Sequence, residues 1–587
     1  MSELSVEQSL GLCVSDMLYS GNTPDKYRRV YPQYVQAGVR TLRLVPAWQS
    51  PEPGRYTLCE ADEAQMRAAI AAGLRLKLVL SSVDVPPAWL YRNPATRFVD
   101  ETGRYTRNNC VSYWYEGIYD YTRDAVSHEL RFLAERGYLD SVDAIVVACG
   151  PACEPIYPAD WTQLGIPGMW CYGENAVADL RRHIAAKYGT IASANRAWGT
   201  RYARLDDLCP PRPGEADGPL WEDVLVWYRD VKRDFVIRQT TVYQEEVRRF
   251  CGDRVRLILY MPGDAYTGSQ WRAALRSSRD TATSLKIMSE NEFIVQTAAR
   301  FGTLLQFTGM PMTAPVKRVL HFMYENGYGH IPVYGENTND RGHASDPAAF
   351  IRLACALNLA GIDYTTSQFL FEGDDYITPA KTYRALMESM PRLDAFLRRR
   401  TMQTPALVAA VPPRPGQRLL CFTLCAAGAG RYSHALFAPE LTLQAGDLLE
   451  YDLCLPAASS GLGQIDLRFS DGLVCSAEND WICDERGIRS FDTDLRELQG
   501  RWAHRRLAVG IDESFVPRMF TAGAVLRTVG LLSHVDGAGE YTLYLDNLVI
   551  TRGGQERCVI FRNGAGLPLL PLENARAKII ENGREMS

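Results

Sequence analysis

Eight short apolar runs recur through the first 400 or so positions of this chain, and most are separated by stretches with helical spacing. The runs are LGLCVSD (10–16), TLRLVPAW (41–48), LRLKLVLSS (74–82), DAIVVACG (143–150), VRLILYMPG (255–263), TLLQFTGM (303–310), HIPVYGE (330–336) and GIDYTTSQFL (361–370). Segments such as EADEAQMRAAIAAG and DPAAFIRLACALNLAG lie between them. A strand that is apolar along its whole length is buried on both faces, as in a parallel sheet covered by helices. Eight such strand–helix units predict an α/β chain whose strands close into a (β/α)8 TIM barrel. An open doubly wound sheet is the other arrangement, but no GxGxxG follows the first strand.

The barrel is assigned to residues 1–400. Residues 151 to about 254 separate the fourth and fifth runs, too far apart for a simple loop, so an inserted subdomain (about 155–254) is expected after strand four. VPPRPGQR (411–418) marks a linker, set at 401–416. Beyond it, DLLEYDLCLP, GQIDLRFSDG, RWAHRRLAVG, TVGLLSHVDG and EYTLYLDNLVITRG alternate with period two between turn residues. That pattern predicts an antiparallel β-sandwich over 417–553, an accessory domain, with 554–587 as a C-terminal tail.

Composition excludes several function classes. A net charge of −5 gives no electrostatic case for nucleic acid or an anionic membrane. No stretch reaches the roughly 18 apolar residues of a membrane span. The 15 cysteines are odd in number and irregularly spaced, and the opening residues show no basic segment followed by an apolar run. Free thiols without an export signal predict a cytoplasmic protein. No CxxC or HxxxH pair occurs, so neither a zinc site nor any other cofactor is expected. A homo-oligomer is compatible with the sequence.

The tetrapeptide YGEN occurs twice, at 172–175 and 334–337. After the first copy, Val177, Leu180, Ile184 and Tyr188 fall at helical spacing, so Asn175 is expected to cap a helix and Glu174 to sit at its start. The second copy ends the seventh strand. Catalytic groups of such barrels sit at the carboxyl ends of the strands, which makes Glu336 a candidate. Its partner is Glu154, in GPACEPIYP after the fourth strand, a loop kept from helix by Pro151, Pro155 and Pro158. Two carboxylates at one barrel mouth can hydrolyse a glycoside: one protonates the leaving oxygen, and the other attacks, or activates water, on the opposite face of the sugar.

VPAWQSPEPGRYTL and VDVPPAWLYRNPATRFVDETGRY resemble the second- and third-strand regions of glycoside hydrolase family 42, the β-galactosidases. CYGENAVADLRRHIAAKYGTIASANRAWGTRYARLDDL resembles that family's helix after strand four. GPACEPIYP followed by GIPGMWCY is similar to the acid loop of family 14, the β-amylases. Both are barrel glycosidases of clan A, and the resemblance covers roughly residues 10–370. It implies Glu154 as acid/base, Glu336 as nucleophile and Arg43 as the strand-two arginine that supports the nucleophile. Cys153 stands where related retaining families place an asparagine that holds the sugar 2-OH. The zinc-binding cysteine cluster frequent in family 42 lacks its companions around Cys171. With Arg43 and Cys153, the candidate sugar contacts are Trp48, Asn109, Tyr157, Trp161, Trp170, Tyr172, Tyr260, Tyr334 and Asn337, with Trp170 the leading candidate for a stacking platform. The expected activity is exo-acting, retaining hydrolysis of β-linked galactosides or related β-glycosides, with a carbohydrate as the partner. An inverting β-amylase-like hydrolase and a non-catalytic sugar-binding protein are the alternatives. The sandwich could bind sugar, bind calcium through Asp546 or Asn547, or brace the barrel.

Overall fold

The computed structural model describes residues 4–16, 24–80, 86–106, 110–158, 169–212, 214–262, 290–309, 316, 319–320, 322–323, 326–336, 347–365, 370–372, 377–400, 416–428, 430–444, 447–455, 464–470, 474–475, 483–484, 502–508, 525–535, 537–581 and 584–585. The chain divides into two compact units: residues 1–315, 322–351 and 359–402, and residues 316–321, 352–358 and 403–587. Among the described residues, no helix is long and apolar enough to cross a membrane.

In the first unit the eight apolar runs become strands β1 (Leu12–Ser15), β2 (Thr41–Leu44), β3 (Arg75–Val79), β4 (Val142–Val146), β5 (Arg256–Met261), β6 (Leu304–Phe307), β7 (Val333–Glu336) and β8 (Gly361–Tyr364). They close in sequence order, and every neighbouring pair is parallel. Every residue of β1, β2, β4, β6, β7 and β8 is buried, as continuous apolar runs require. A short helix, Val6–Leu10, lies at the amino end of the barrel. There the Glu7 carbonyl accepts from the Tyr334 hydroxyl at 3.1 Å, and the Glu7 carboxylate pairs with Arg256 at 2.5 Å.

Closure depends on two glycines. A Cβ on Gly361 would stand 2.0 Å from the Gly11 Cα, and one on Gly11 would stand 2.3 Å from the Ala360 carbonyl oxygen. Gly361 also has φ +141°, a conformation open to glycine and few other residues. The chain entering β8 can therefore approach the chain entering β1 only because neither glycine carries a side chain.

Helix α1 (Gly117–Glu135) precedes β4. The insertion after β4 contributes α2 (Glu174–Tyr188), α3 (Ile191–Trp198) and the 33-residue α4 (Pro219–Cys251). Helix α2 begins at Glu174 with Gly173 as its N-cap. Asn175, expected as the cap, instead donates from Nδ2 to the Ala95 carbonyl at 3.0 Å. The inner faces of α1 and α4 enclose an aromatic core that includes Phe98, Tyr113, Trp114, Tyr157, Trp170, Trp227 and Phe235.

The second unit contains two antiparallel sheets over one apolar core. Arg418–Ala426, Asp447–Cys454 and Gly539–Arg552 belong to one sheet, and Gly430–Phe437, Gln464–Phe469 and Val525–Val535 to the other. Leu420, Phe422, Leu545, Leu467 and Leu531 meet between them. The first sheet extends beyond residue 553. Gln555–Arg562 pairs with Gly539–Arg552, and Ala575–Glu581 pairs along Arg418–Ala426, so much of the expected C-terminal tail is built into the sandwich. The expected linker falls almost entirely on 401–415, outside the described residues. Asp546 is already engaged: its Oδ1 accepts from the Asn563 N–H at 2.7 Å, and its Oδ2 accepts from Gln417. Asn547 donates to Asp452. Among the described residues no cluster of three or more His, Cys, Asp or Glu side chains could hold a metal ion.

Gly361→Ala should lower stability by at least about 2 kcal/mol, because it adds a backbone clash to a conformation alanine avoids. A chemical-denaturation midpoint equal to that of the parent would show that the barrel tolerates a side chain at the β1–β8 seam.

Candidate active site

The centre of the barrel is ionic. Arg43 on β2 and Lys77 on β3 are register partners, and Glu336 on β7 and Asp363 on β8 are register partners. Each like-charged pair would repel alone, but across the barrel the two pairs neutralise one another. Arg43 grips Glu336 with two bonds, Nη2 to Oε1 at 2.6 Å and Nη1 to Oε2 at 3.1 Å. Its Nε lies 3.2 Å from Asp363 Oδ2 and donates to Ser15 at 3.0 Å. Lys77 donates to Asp363 at 2.7 Å and also to Gln306 on β6. Gln306 passes its amide on to Glu336 Oε2 at 2.7 Å, and Thr365 donates to Glu336 Oε1 at 3.1 Å. Tyr260 on β5 accepts from Arg43 at 2.6 Å.

Burial alone would raise the Asp363 pKa, but Arg43 and Lys77 outweigh it and hold the carboxyl below its usual range. Burial holds Tyr260 well above the usual phenol value; Arg43 opposes this, and Glu336, Asp363 and Cys153 add to it. Tyr260 therefore serves as a neutral phenol. Cys13 on β1 is likewise pushed up by burial, and Asp363 adds to the shift. The two anions differ in access: the Glu336 side chain is 9% exposed and that of Asp363 is 1%. Glu336 is the one a ligand can reach.

Glu154 reaches the same end of the barrel from a strained loop. Ala152 and Cys153 both have positive φ, 52° and 66°, which costs non-glycine residues about 1–3 kcal/mol each. The surroundings enforce this shape. The Tyr113 hydroxyl donates to the Ile156 carbonyl, and the Ile156 N–H donates to the Glu154 carbonyl at 2.8 Å. A Cβ on Gly150 would lie 2.3 Å from the Glu154 carbonyl oxygen and 2.6 Å from the Tyr113 hydroxyl. Pro151 starts a single 3-10 turn that ends at Cys153, so the prolines shape the loop without abolishing all helical structure. Glu154 Oε1 accepts a hydrogen bond from Thr308, just past β6. Gln306, which touches Glu336, stands two residues earlier on the same chain. The two carboxylates are thus tied to residues two apart in sequence at the carboxyl end of β6.

The other expected site residues divide. Arg43, Tyr260 and Glu336 meet directly, and Cys153 lies next to Glu154 and close to Tyr260. Trp48 instead packs edge-on against Phe132 at 5.3 Å. Tyr157 stacks on Tyr228 at 3.9 Å, inside the aromatic core. Trp170 is buried there too, with Nε1 donating to the Pro158 carbonyl at 2.7 Å, so its ring supports the insertion and does not form a sugar platform. Tyr172 is mostly buried and donates to the Pro211 carbonyl at 3.0 Å. Tyr334 points to the opposite end of the barrel, toward Glu7. Asn109, Trp161 and Asn337 lie outside the described residues. Glu174 is exposed at the start of α2.

Sequence reasoning passed over Lys77, Gln306, Thr308, Asp363 and Thr365. For three of them a signal existed: a lone polar residue inside an apolar strand, as in LRLKLVL, TLLQF and GIDY. A charge there must have a partner in the barrel interior, because burying it alone is prohibitive.

No family model matches the chain. A 186-residue stretch is 28% identical to the thermophilic β-amylase of Thermoanaerobacterium thermosulfurigenes, covering 27% of this chain and 33% of that protein. A 178-residue stretch is 31% identical to the β-galactosidase of Thermus thermophilus, covering 28% of this chain and 24% of that protein. The matched stretches thus span a third or less of the curated relatives. Among solved structures, the catalytic domain of β-amylase from Paenibacillus polymyxa superposes with a TM-score of 0.54 at 16% identity, over 66% of this chain and 98% of that domain. At that identity the likeness to the β-amylase domain is one of fold.

Asp363→Asn should destabilise the barrel by about 3–5 kcal/mol, because it leaves two buried cations with one carboxylate. The pH dependence has a fixed sign. A carboxyl whose folded pKa is depressed contributes stability that is full above its unfolded pKa, about 3.9, and that contribution is lost as pH falls through the folded value. The variant should therefore show a shallower loss of stability below about pH 4. Parallel acid limbs for parent and variant would refute this account of Asp363.

Proposed function

We propose that this protein is a glycoside hydrolase in which Glu154 is the acid/base and Glu336 the nucleophile. The observation that carries the reading is the shared carboxyl end of β6, where Gln306 binds Glu336 and Thr308, the residue after the strand, binds Glu154. One strand end thereby holds a fixed anion and a second carboxyl together, the pair that glycoside hydrolysis requires. The roles follow from the surroundings. Glu336 has both oxygens filled by donors from Arg43, Gln306 and Thr365, an arrangement that holds an anion in place and lets it leave again from a covalent ester. Glu154 is half-buried on a loop, where it can protonate a leaving oxygen and later deprotonate water. This scheme retains the anomeric configuration. The relative from Thermus, a β-galactosidase, supports β-linked galactosides or related β-glycosides as substrates, and cleavage from chain ends is part of this proposal.

A second reading, an inverting hydrolase of the β-amylase kind, is favoured by the Thermoanaerobacterium relative and the Paenibacillus barrel. In it Glu336 would activate water on the face opposite Glu154. NMR of the first-formed product separates the two: retention supports the nucleophile and inversion supports the base. Absence of turnover on both aryl β-glycosides and α-glucans would refute both.

Glu154→Gln should cut turnover of glycosides with poor leaving groups by about 10²–10⁴-fold and spare activated aryl glycosides relatively. Equal losses on both would remove Glu154 from the acid role. Glu336→Ala should lose turnover by orders of magnitude and regain part of it with added azide. Glu174→Ala should stay within about tenfold, or about 1.4 kcal/mol of barrier. Trapping with a fluorinated glycoside, followed by peptide mapping, should label Glu336; a label on Glu174 would overturn the assignment.

A further inference from the structure

One edge of the larger sandwich sheet is fastened by charge. The strand Trp502–Ala508 runs antiparallel to Asp447–Cys454, from Trp502 opposite Cys454 to Ala508 opposite Leu448. On its other side, among the described residues, only Leu507 and Ala508 are paired, with Cys483–Asp484. Residues 502–506 thus have ladder hydrogen bonds on one side alone, and cross-strand side-chain pairs bear correspondingly on how firmly they are attached.

Two such pairs are ionic. His504 stands directly opposite Asp452, and Arg506 directly opposite Glu450. The His504 Nδ1 lies 2.7 Å from Asp452 Oδ1, and its Nε2 lies 3.3 Å from Glu450 Oε2. A neutral imidazole has one N–H and one lone pair. Whichever nitrogen kept the proton, the other would aim its lone pair at a carboxylate oxygen. Only the doubly protonated ring donates to both. The carboxylates have further donors: Glu450 accepts from Thr551 and from Arg506 at 3.3 Å, and Asp452 accepts from Asn547. Burial would raise the Glu450 pKa, but those bonds and the charges of Arg506 and His504 hold it below the usual range. Glu450 therefore remains an anion when the ring loses a proton.

The remaining charges around the ring are Arg506 on its own strand, Asp546 on Gly539–Arg552, which is paired with Asp452, and Arg562 on Gln555–Arg562, which faces both aspartates. The hydrogen bond to Asp452 raises the imidazole above its ordinary value; burial opposes this, and the charges of Asp452 and Glu450 add to the rise. The His504 side chain is 34% exposed, so its proton exchanges with solvent.

We propose that His504 is a pH-dependent clamp on the strand Trp502–Ala508, fastening it while the imidazole carries both protons and loosening it when one is lost. A group whose folded pKa is raised contributes stability that is full below its unfolded value, about 6.5 for histidine, and that is lost as pH rises through the folded value. The same strand has a second attachment, Trp502 stacked on Tyr544 with ring centroids 6.5 Å apart. Burial raises the Tyr544 phenol, so this contact stays neutral through the transition, and the strand loosens without leaving the sheet. This role is independent of the hydrolase reading.

The test uses the full-length protein with histidines carbon-13-labelled at Cε1. The resonance lost in His504→Gln belongs to His504, and its NMR titration midpoint should lie above about 6.5. Hydrogen exchange followed by mass spectrometry should show protection of 502–508, corrected for the intrinsic rate, falling at least tenfold from pH 6 to pH 9. Protection of the central strand Arg418–Ala426 should stay within threefold, and the step at 502–508 should vanish in His504→Gln. Should His504→Gln fail to fold by circular dichroism, Glu450→Gln takes its place; it should lower the midpoint of one histidine resonance and shrink the step. The proposal is overturned by a His504 midpoint at or below about 6.5, by protection of 502–508 that ignores pH, by an equal loss in Arg418–Ala426, or by a step that persists unchanged in the variant.

Discussion

The barrel turns on a neutral quartet of buried charges, Arg43, Lys77, Glu336 and Asp363. Each ion alone would cost several kcal/mol to desolvate, and the register places like charges side by side. The arrangement is tolerable only because the strands close into a ring, so that β2 and β3 face β7 and β8 across the barrel interior. An open sheet of the same strands would leave two cations on one flank and two anions on another. Closure is what makes the quartet neutral, and the quartet fixes the lateral position of Glu336. The glycine seam between β1 and β8 is part of the same requirement, since it brings Asp363 within 3.2 Å of Arg43 across β1.

Much of this was legible in the amino-acid sequence, and the limits are physical. The eight strands stand out because burial on both faces demands unbroken apolar runs. Glu336 and Glu154 stand out because they end such runs. The aromatic residues were misread for a related reason. Trp170, Tyr157 and Trp48 lie near strand ends in sequence, but a large ring is stabilised by burial at least as readily as by a ligand, and the insertion needed a core of its own. Tyr334 shows the complementary difficulty. Side chains at alternate strand positions share the barrel interior, yet Tyr334 extends toward Glu7 at the amino end while Glu336, two residues on, meets Arg43 at the carboxyl end. Alternation alone does not say which end a long side chain seeks.

The sandwich gives the same lesson in another form. Its alternating strands were visible through EYTLYLDNLVITRG, but the sequence after it, QERCVIFR and ARAKIIE, alternates weakly and is rich in charge. Those segments become strands because the edges of Gly539–Arg552 and Arg418–Ala426 offer rows of backbone groups that must be paired. The partner, and not the segment's own pattern, decides.

The two carboxylates of the proposed site are held by opposite strategies, and the contrast suits their separate tasks. Glu336 stands on a strand, with four hydrogen bonds from three side chains, and could move only by breaking the quartet. A group that must approach an anomeric carbon along one line gains from such rigidity, because orientation prepaid in the fold lowers the barrier. Glu154 stands on a loop with two residues in the left-handed region, braced from behind by Tyr113 and the aromatic core. Strain of this kind persists only where the surroundings over-determine it. From this loop the Glu154 side chain accepts a hydrogen bond from Thr308. A carboxyl that must give a proton to a leaving oxygen and take one from water needs solvent access together with a fixed direction. A braced, half-buried loop supplies both, where a strand position inside the barrel would supply only the second.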